Sequence, residues 1–283
     1  PVGREAIEQA IVLNGVAVES NRAAFAWGRR AAVDLAAVRE AATPPEAMPD
    51  SQRLSASLEE AVSRRRAFLV RYQNEAYAAR YAAAVERLRV AEASRVPGST
   101  ALAEAGARYL FKLMAYKDEY EVARLYTDGE FAARVASRFE GDYRLVLHLA
   151  PPILSRLDPA TGEPRKKAYG PWMLKAMRLL AACKGLRGTA LDPFGRSPER
   201  REERALVAQY EATLAEIAER LTPETIAIAV ELASVPEHIR GYGPVKARHL
   251  AAAREKREAL LAQLRDPQSR PKAGAAIPIR VAA

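Results

Sequence analysis

The sequence predicts a mainly α protein with a small β-hairpin or sheet insertion around residues 143–169, and three patterns carry that reading. Tyr109, Leu113, Tyr116, Tyr120 and Ala123 recur at spacings of four and three, which places them on one stripe of a helix spanning Tyr109 to Tyr126. Leu58, Val62, Leu69, Tyr72, Ala76, Ala79 and Ala83 recur at spacings of three, four and seven, enough for a seam against a second helix. Tyr143, Leu145, Leu147 and Leu149 alternate with Arg144, Val146 and His148, the period of a strand.

Each element follows from local chemistry. Arg4 to Ala42 reads as two helices meeting at Asn14 and Gly15, with Ile7, Ile11, Val18 and Phe25 as their apolar positions. The three prolines of Thr43 to Pro49 cannot continue a helix. Ser57 and Glu60 form a capping box that opens one long helix, and Val96, Pro97 and Gly98 end it. Ser99 can cap the helix that holds the tyrosine stripe. Glu130 to Glu140 makes a short helix, and the strand after it meets Pro151 and Pro152. Asp158 to Pro164 is turn chemistry, so Ile153 to Leu157 and Arg165 to Tyr169 are candidate hairpin arms.

Pro171 starts a helix that Trp172, Leu174, Met177, Leu179 and Leu180 make largely buried. Gly185 to Gly195 is a loop with a specific path. Ser197 and Pro198 open a helix striped by Leu206, Tyr210, Leu214, Ile217 and Leu221, and Thr222 and Pro223 open an apolar, central one. The last helix is Pro244 to Arg265. The chain thus divides into a helical segment at 1–43, a linker at 44–56, a helical domain with the β element at 57–265, and a basic tail at 266–283 expected to be mobile.

Composition narrows the chemistry. With 283 residues and 49% apolar content the chain can bury a substantial core. No run reaches the ~18 apolar residues of a membrane span, and Ile7 to Phe25 reads as packed structure rather than a signal peptide. A single cysteine, Cys183, excludes an internal disulfide framework and fits a cytoplasmic setting. The net charge is +9, and Arg240 to Ala283 holds ten Lys or Arg against three Asp or Glu, so seven of those charges belong to the C-terminal end. Such an end suits an acidic partner. Nucleic acid is not expected, since no recognition motif accompanies the charge.

The candidate chemistry is sparse. His148, His238 and His249 have no metal-ligand spacing. Asp118, Glu119 and Glu121 read as a solvated helix face, strengthened by pairs of Glu121 with Lys117 and Arg124 one turn away. The tyrosines of the stripe read as core residues whose hydroxyls find partners at its edge. No dinucleotide, P-loop, nucleophile-elbow or zincin motif is present. What remains is a basic group of Arg165, Lys166, Lys167, Lys184 and Arg187, which with the Gly185 to Gly188 backbone could receive an anion such as a cofactor phosphate. A basic turn in water is the simpler reading.

Longer motifs add a resemblance. KLMAYKDEYEVARLYT at Lys112 to Thr127, HLAPPIL at His148 to Leu154, DPATGEPRKKAYGPWM at Asp158 to Met173, KGLRGTALDPFG at Lys184 to Gly195 and IRGYGPVK at Ile239 to Lys246 resemble the C-terminal region of the fused bacterial indolepyruvate ferredoxin oxidoreductases. Ala6 to Arg30 resembles the end of the preceding gamma-type catalytic domain of 2-oxoacid:ferredoxin oxidoreductases. The resemblance implies oxidative decarboxylation of an aryl 2-oxoacid with thiamine diphosphate, coenzyme A and iron–sulfur clusters, and electron transfer to ferredoxin. Those centres lie upstream in such enzymes. It therefore implies no catalytic residue and no cofactor in this chain, a scaffold role beside the upstream catalytic domains, and a homo-oligomer. A stand-alone module that docks an acidic protein is the other expectation.

Overall fold

A computed structural model describes residues 2–42, 53–150, 165–241 and 243–266, with 243 and 244 described by backbone only. The chain divides into two compact units, Pro1–Leu54 and Ser55–Ala283.

The first unit holds three helices, α1 (Arg4–Asn14), α2 (Val18–Val33) and α3 (Leu35–Ala42). Gly15 ends α1 in the left-handed region at φ +68°, and its N–H donates to the Val12 carbonyl. The second expected helix is two, because Asp34 leaves helical geometry and its carboxylate accepts from the Ala37 N–H to start α3. None of these helices has a fully buried residue, although Ile7, Ile11, Val18 and Phe25 are half-buried as the pattern predicts. Thr43 to Pro49 lies outside the described residues.

The second unit is mainly helical. The expected long helix from Ser57 is α4 (Leu58–Tyr72) and α5 (Glu75–Arg95). Ser57 Oγ accepts from the Glu60 N–H, and the Glu60 carboxylate reaches back to the Ala56 N–H, a capping box that satisfies amides the helix cannot. Gln73 breaks the run at φ −135° and ψ −76°, and Asn74 caps α5 through the Tyr77 N–H. The break resets the helical phase. Beyond Tyr72 the buried stripe is Ala78, Tyr81, Val85, Leu88 and Glu92, while Ala76, Ala79 and Ala83 face solvent.

The tyrosine-stripe helix is also two elements, α6 (Ala101–Met114) and α7 (Glu119–Thr127). Ala115 leaves the helix at ψ 41° and Asp118 caps α7 by accepting from the Glu121 N–H. Ser99 is not the cap of α6: Thr100 holds that position without a side-chain bond. The helix start is capped from a distance by buried Glu92, which accepts from Ser99 Oγ and from the Leu102 and Ala103 N–H groups, a carboxylate held at the positive end of a helix. α5 and α6 approach closely at Gly106, where an added Cβ would lie 2.3 Å from Leu88 Cδ1.

α10 (Pro198–Arg220) lies against α5 and α6, α11 (Ile226–Ser234) against α6, and α12 (Gly243–Arg265) against α11. Leu88, Leu110, Leu214, Ile217, Leu232 and Leu261 fill the space between them. Burial of this kind is the main stabilising term, ~25 cal/mol per Å² of apolar surface. The tyrosines in this core do find acceptors: Tyr81 donates to the Ala107 carbonyl and Tyr210 to that of Ala233.

A second, smaller core joins α7 to a hairpin and to α9 (Trp172–Ala182). The strands are β1 (Leu147–Leu149) and β2 (Lys167–Tyr169), antiparallel, with Leu147 opposite Tyr169 and Leu149 opposite Lys167. The strand is shorter than the alternation suggests, and the paired arm is 147–149; Ile153 to Leu157 and Asp158 to Pro164 lie outside the described residues. α8 (Glu130–Ala136) follows α7. α9 is not largely buried. Only Met173 and Met177 are buried on it, whereas Trp172 and Leu179 are 59% and 71% exposed, because one face alone meets α7. The tail after Asp266 lies outside the described residues.

Candidate functional site

A buried polar cluster forms where α4 ends, α7 begins and the 183–195 loop turns back. Arg187, in the turn after the short 3-10 segment Cys183–Leu186, donates through Nε and Nη2 to the two carboxylate oxygens of Asp118, the latter at 2.9 Å, and through Nη1 to the Tyr72 carbonyl. Both side chains of the pair are under 5% exposed. The guanidinium also lies 3.8 Å from the centroid of the Tyr72 ring and 5.4 Å from that of Tyr120. All three nitrogens are therefore engaged.

The loop is tied down from the same side. Asp192 accepts from the Gly188 and Phe194 N–H groups and from the Tyr120 hydroxyl at 3.1 Å, while Phe194 meets the Tyr120 ring edge-on. A Cβ on Gly195 would lie 2.3 Å from Asp192 Oδ2, so the turn needs glycine there. Gly188 adopts φ +75°, a second position where glycine avoids strain.

The electrostatics follow from this packing. Burial raises the Asp192 carboxyl, but the N–H groups of Gly188, Gly195 and Phe194 and the Tyr120 hydroxyl outweigh it and hold the group below its ordinary value. Burial pulls Arg187 down, yet the bonds and charges of Asp118 and Tyr72 leave it raised. Burial drives Tyr72 and Tyr120 far above the usual phenol range. These tyrosines stay protonated at neutral pH. The arrangement can hold three chain segments together.

The five candidate anion-binding residues fall into two places. Lys184 Nζ donates to the Val70 and Arg71 carbonyls at 3.1 and 2.7 Å, and Arg187 donates to that of Tyr72, so both cations sit at the negative end of α4. Arg165, Lys166 and Lys167 are exposed on the hairpin. The solvated-face reading of the carboxylates fails for two of them: Asp118 and Glu121 are 3% and 2% exposed, one paired with Arg187 and the other with Arg124. Glu119 is half-buried and bonds Arg200. The sequence reading missed Tyr72 and Asp192 as partners. One signal was available for Asp118: followed three residues later by Glu121, it has the spacing of a helix-capping pair.

Among the described residues no group of three or more His, Cys, Asp or Glu could hold a metal ion, and no helix is long and apolar enough to cross a membrane. The model of the family of unknown function DUF6537 matches residues 58–259. The chain belongs to that family. The DUF6537 match opens on the first residue of α4 and takes in the whole Arg187 cluster. No curated protein and no solved structure matches the chain.

Proposed function

We propose that the chain is the helical C-terminal region of an indolepyruvate-type 2-oxoacid:ferredoxin oxidoreductase and serves its assembly rather than its chemistry. One observation supports this above others. Two of the long motifs that carry the resemblance, Lys112 to Thr127 and Lys184 to Gly195, meet at the Asp118–Arg187 and Tyr120–Asp192 contacts. In that meeting their polar residues hold backbone and each other. Motifs spent on locking helices suit a scaffold.

On this reading thiamine diphosphate, coenzyme A and the iron–sulfur clusters bind the upstream catalytic domains of the same polypeptide. Ferredoxin takes the electrons, the enzyme is a cytoplasmic homo-oligomer, and residues 57–265 pack beside the catalytic domains.

The test begins with the reading frame upstream of Pro1, where a thiamine-binding domain in frame is expected. In that full polypeptide, deleting residues 57–265 should reduce the assembled species on size-exclusion chromatography and lower oxoacid-dependent ferredoxin reduction. An isolated 57–265 fragment that decarboxylated an oxoacid unaided would overturn the reading, as would full assembly and turnover after the deletion.

A further inference from the structure

The hairpin and α9 share a basic, partly apolar surface. The described stretches 143–150 and 165–182 contain Arg144, Arg165, Lys166, Lys167, Lys175 and Arg178 and no Asp or Glu. All six are exposed, and apart from Arg165 none of them has an ion pair among the described residues. Between these cations lie large apolar side chains open to water: Val146 is 47%, Trp172 59% and Leu179 71% exposed. On α9, Trp172, Lys175, Ala176 and Leu179 share one stripe by helical spacing, opposite Met173 and Met177, which face the second core.

The two elements form one continuous face. A Cβ placed on Gly170 would lie 3.6 Å from Trp172 Cδ1 and 3.8 Å from Arg144 Nη2, so the indole and the hairpin guanidinium are neighbours. Tyr169 of β2 meets Trp172 edge-on with centroids 5.9 Å apart.

We infer that the outer face of the β1–β2 hairpin and α9, centred on Trp172 and Arg144, docks an acidic, partly apolar segment of another protein. Charge complementarity sets the sign of the partner, because Arg144, Lys166, Lys167, Lys175 and Arg178 are exposed with no ion pair among the described residues, and such a face steers and orients an acidic surface. The apolar residues set its class. Protein interface cores are enriched in tryptophan and arginine, and exposed Leu179 and Val146 gain burial against apolar side chains that a phosphate backbone does not supply. A bilayer fits less well: α9 has 11 residues and its other face is committed to Met173 and Met177, leaving a narrow strip to insert.

The whole chain is the test object, titrated at about 150 mM salt with four probes: a peptide interspersing Asp and Glu with Leu and Phe, poly-glutamate, duplex DNA, and phosphatidylserine vesicles. The peptide should bind most tightly. Its affinity should fall about tenfold or more in R144E/K166E and in K175E/R178E, and also in W172A, while R87E on the exposed surface of α5 leaves it unchanged. Thermal midpoints should match wild type throughout. The inference is overturned if the peptide does not bind, if those variants bind it as wild type does, if poly-glutamate binds equally well, or if DNA or vesicles bind more tightly. Oxoacid turnover plays no part in this readout, so it stands or fails apart from the assembly role proposed above.

Discussion

Two regions of the larger unit treat the same residue type in opposite ways. At the junction of α4, α7 and the 183–195 loop, Arg187 and Lys184 are turned inward onto Asp118 and three backbone carbonyls. On the hairpin and α9, Arg144, Lys166, Lys167, Lys175 and Arg178 have no ion pair among the described residues. The difference lies in what is opposite. A helix end offers carbonyls without intrahelical partners, and a capping carboxylate supplies a full counter-charge; the described residues of the hairpin and α9, 143–150 and 165–182, include no carboxylate. Inward cations are tied into the fold, whereas outward ones face solvent.

The sharpest way to break that comparison is to remove one half of the inward pair. Arg187→Met leaves Asp118 buried without its counter-charge, and Asp118→Ala leaves Arg187 so, each expected to cost about 3–5 kcal/mol in urea unfolding. Asp118→Asn separates two roles, since the amide oxygen can still cap α7 while the charge is gone; it should cost less than Asp118→Ala. A double Arg187→Met, Asp118→Leu variant that recovers much of the loss would show that the isolated charge, and not the packing, is the expensive item. Equal costs for the single and double variants would mean that packing against Tyr72 dominates.

Gly106 probes the apolar core next. Its absent Cβ is where Leu88 sits, so Gly106→Ala should cost about 1–3 kcal/mol through overpacking. Leu88→Ala alone should cost about 2–5 kcal/mol by opening a cavity. Combining them should give less than the sum, because the methyl that clashes in one variant partly fills the space left in the other.

Much of this is legible in the sequence alone. The Ser57 and Ser197 caps, the left-handed Gly15 and the stripe from Leu206 to Leu221 depend on residues within a few positions of one another, and they occur as their spacing implies. The two missed breaks, at Gln73 and at Ala115, sit inside runs whose apolar period continues plausibly across them. Periodicity tolerates a skipped phase, whereas Asn74 and Asp118, both N-cap residue types, were local evidence for the stop. The site itself was half legible. Arg187 stood out by its charge and glycine neighbours, but its partner lies 69 residues away and no local rule links the two.

Asp192 sharpens the comparison through pH. Its folded value lies below the ordinary carboxylate value, so its contribution is complete above the unfolded pKa of about 3.9 and is lost as pH falls through the folded one. An acid titration of stability should therefore show a steeper fall below pH ~4 in wild type than in Asp192→Asn. If both fall in parallel, the loop's N–H groups are not stabilising the charge. Asn74→Ala, which removes the α5 cap, should cost about 1 kcal/mol at every pH.

The smallest expected effects lie on the outward face, and that smallness is informative. Leu179 is 71% exposed on the side of α9 away from Met173 and Met177, so Leu179→Ser should change the unfolding free energy by no more than about 0.5 kcal/mol. A large apolar residue with nothing to lose on replacement is not held there by the fold of this chain. Should Leu179→Ser instead cost as much as Gly106→Ala, α9 would be packing on both faces, and the contrast between the inward and outward regions would reduce to a difference in charge alone.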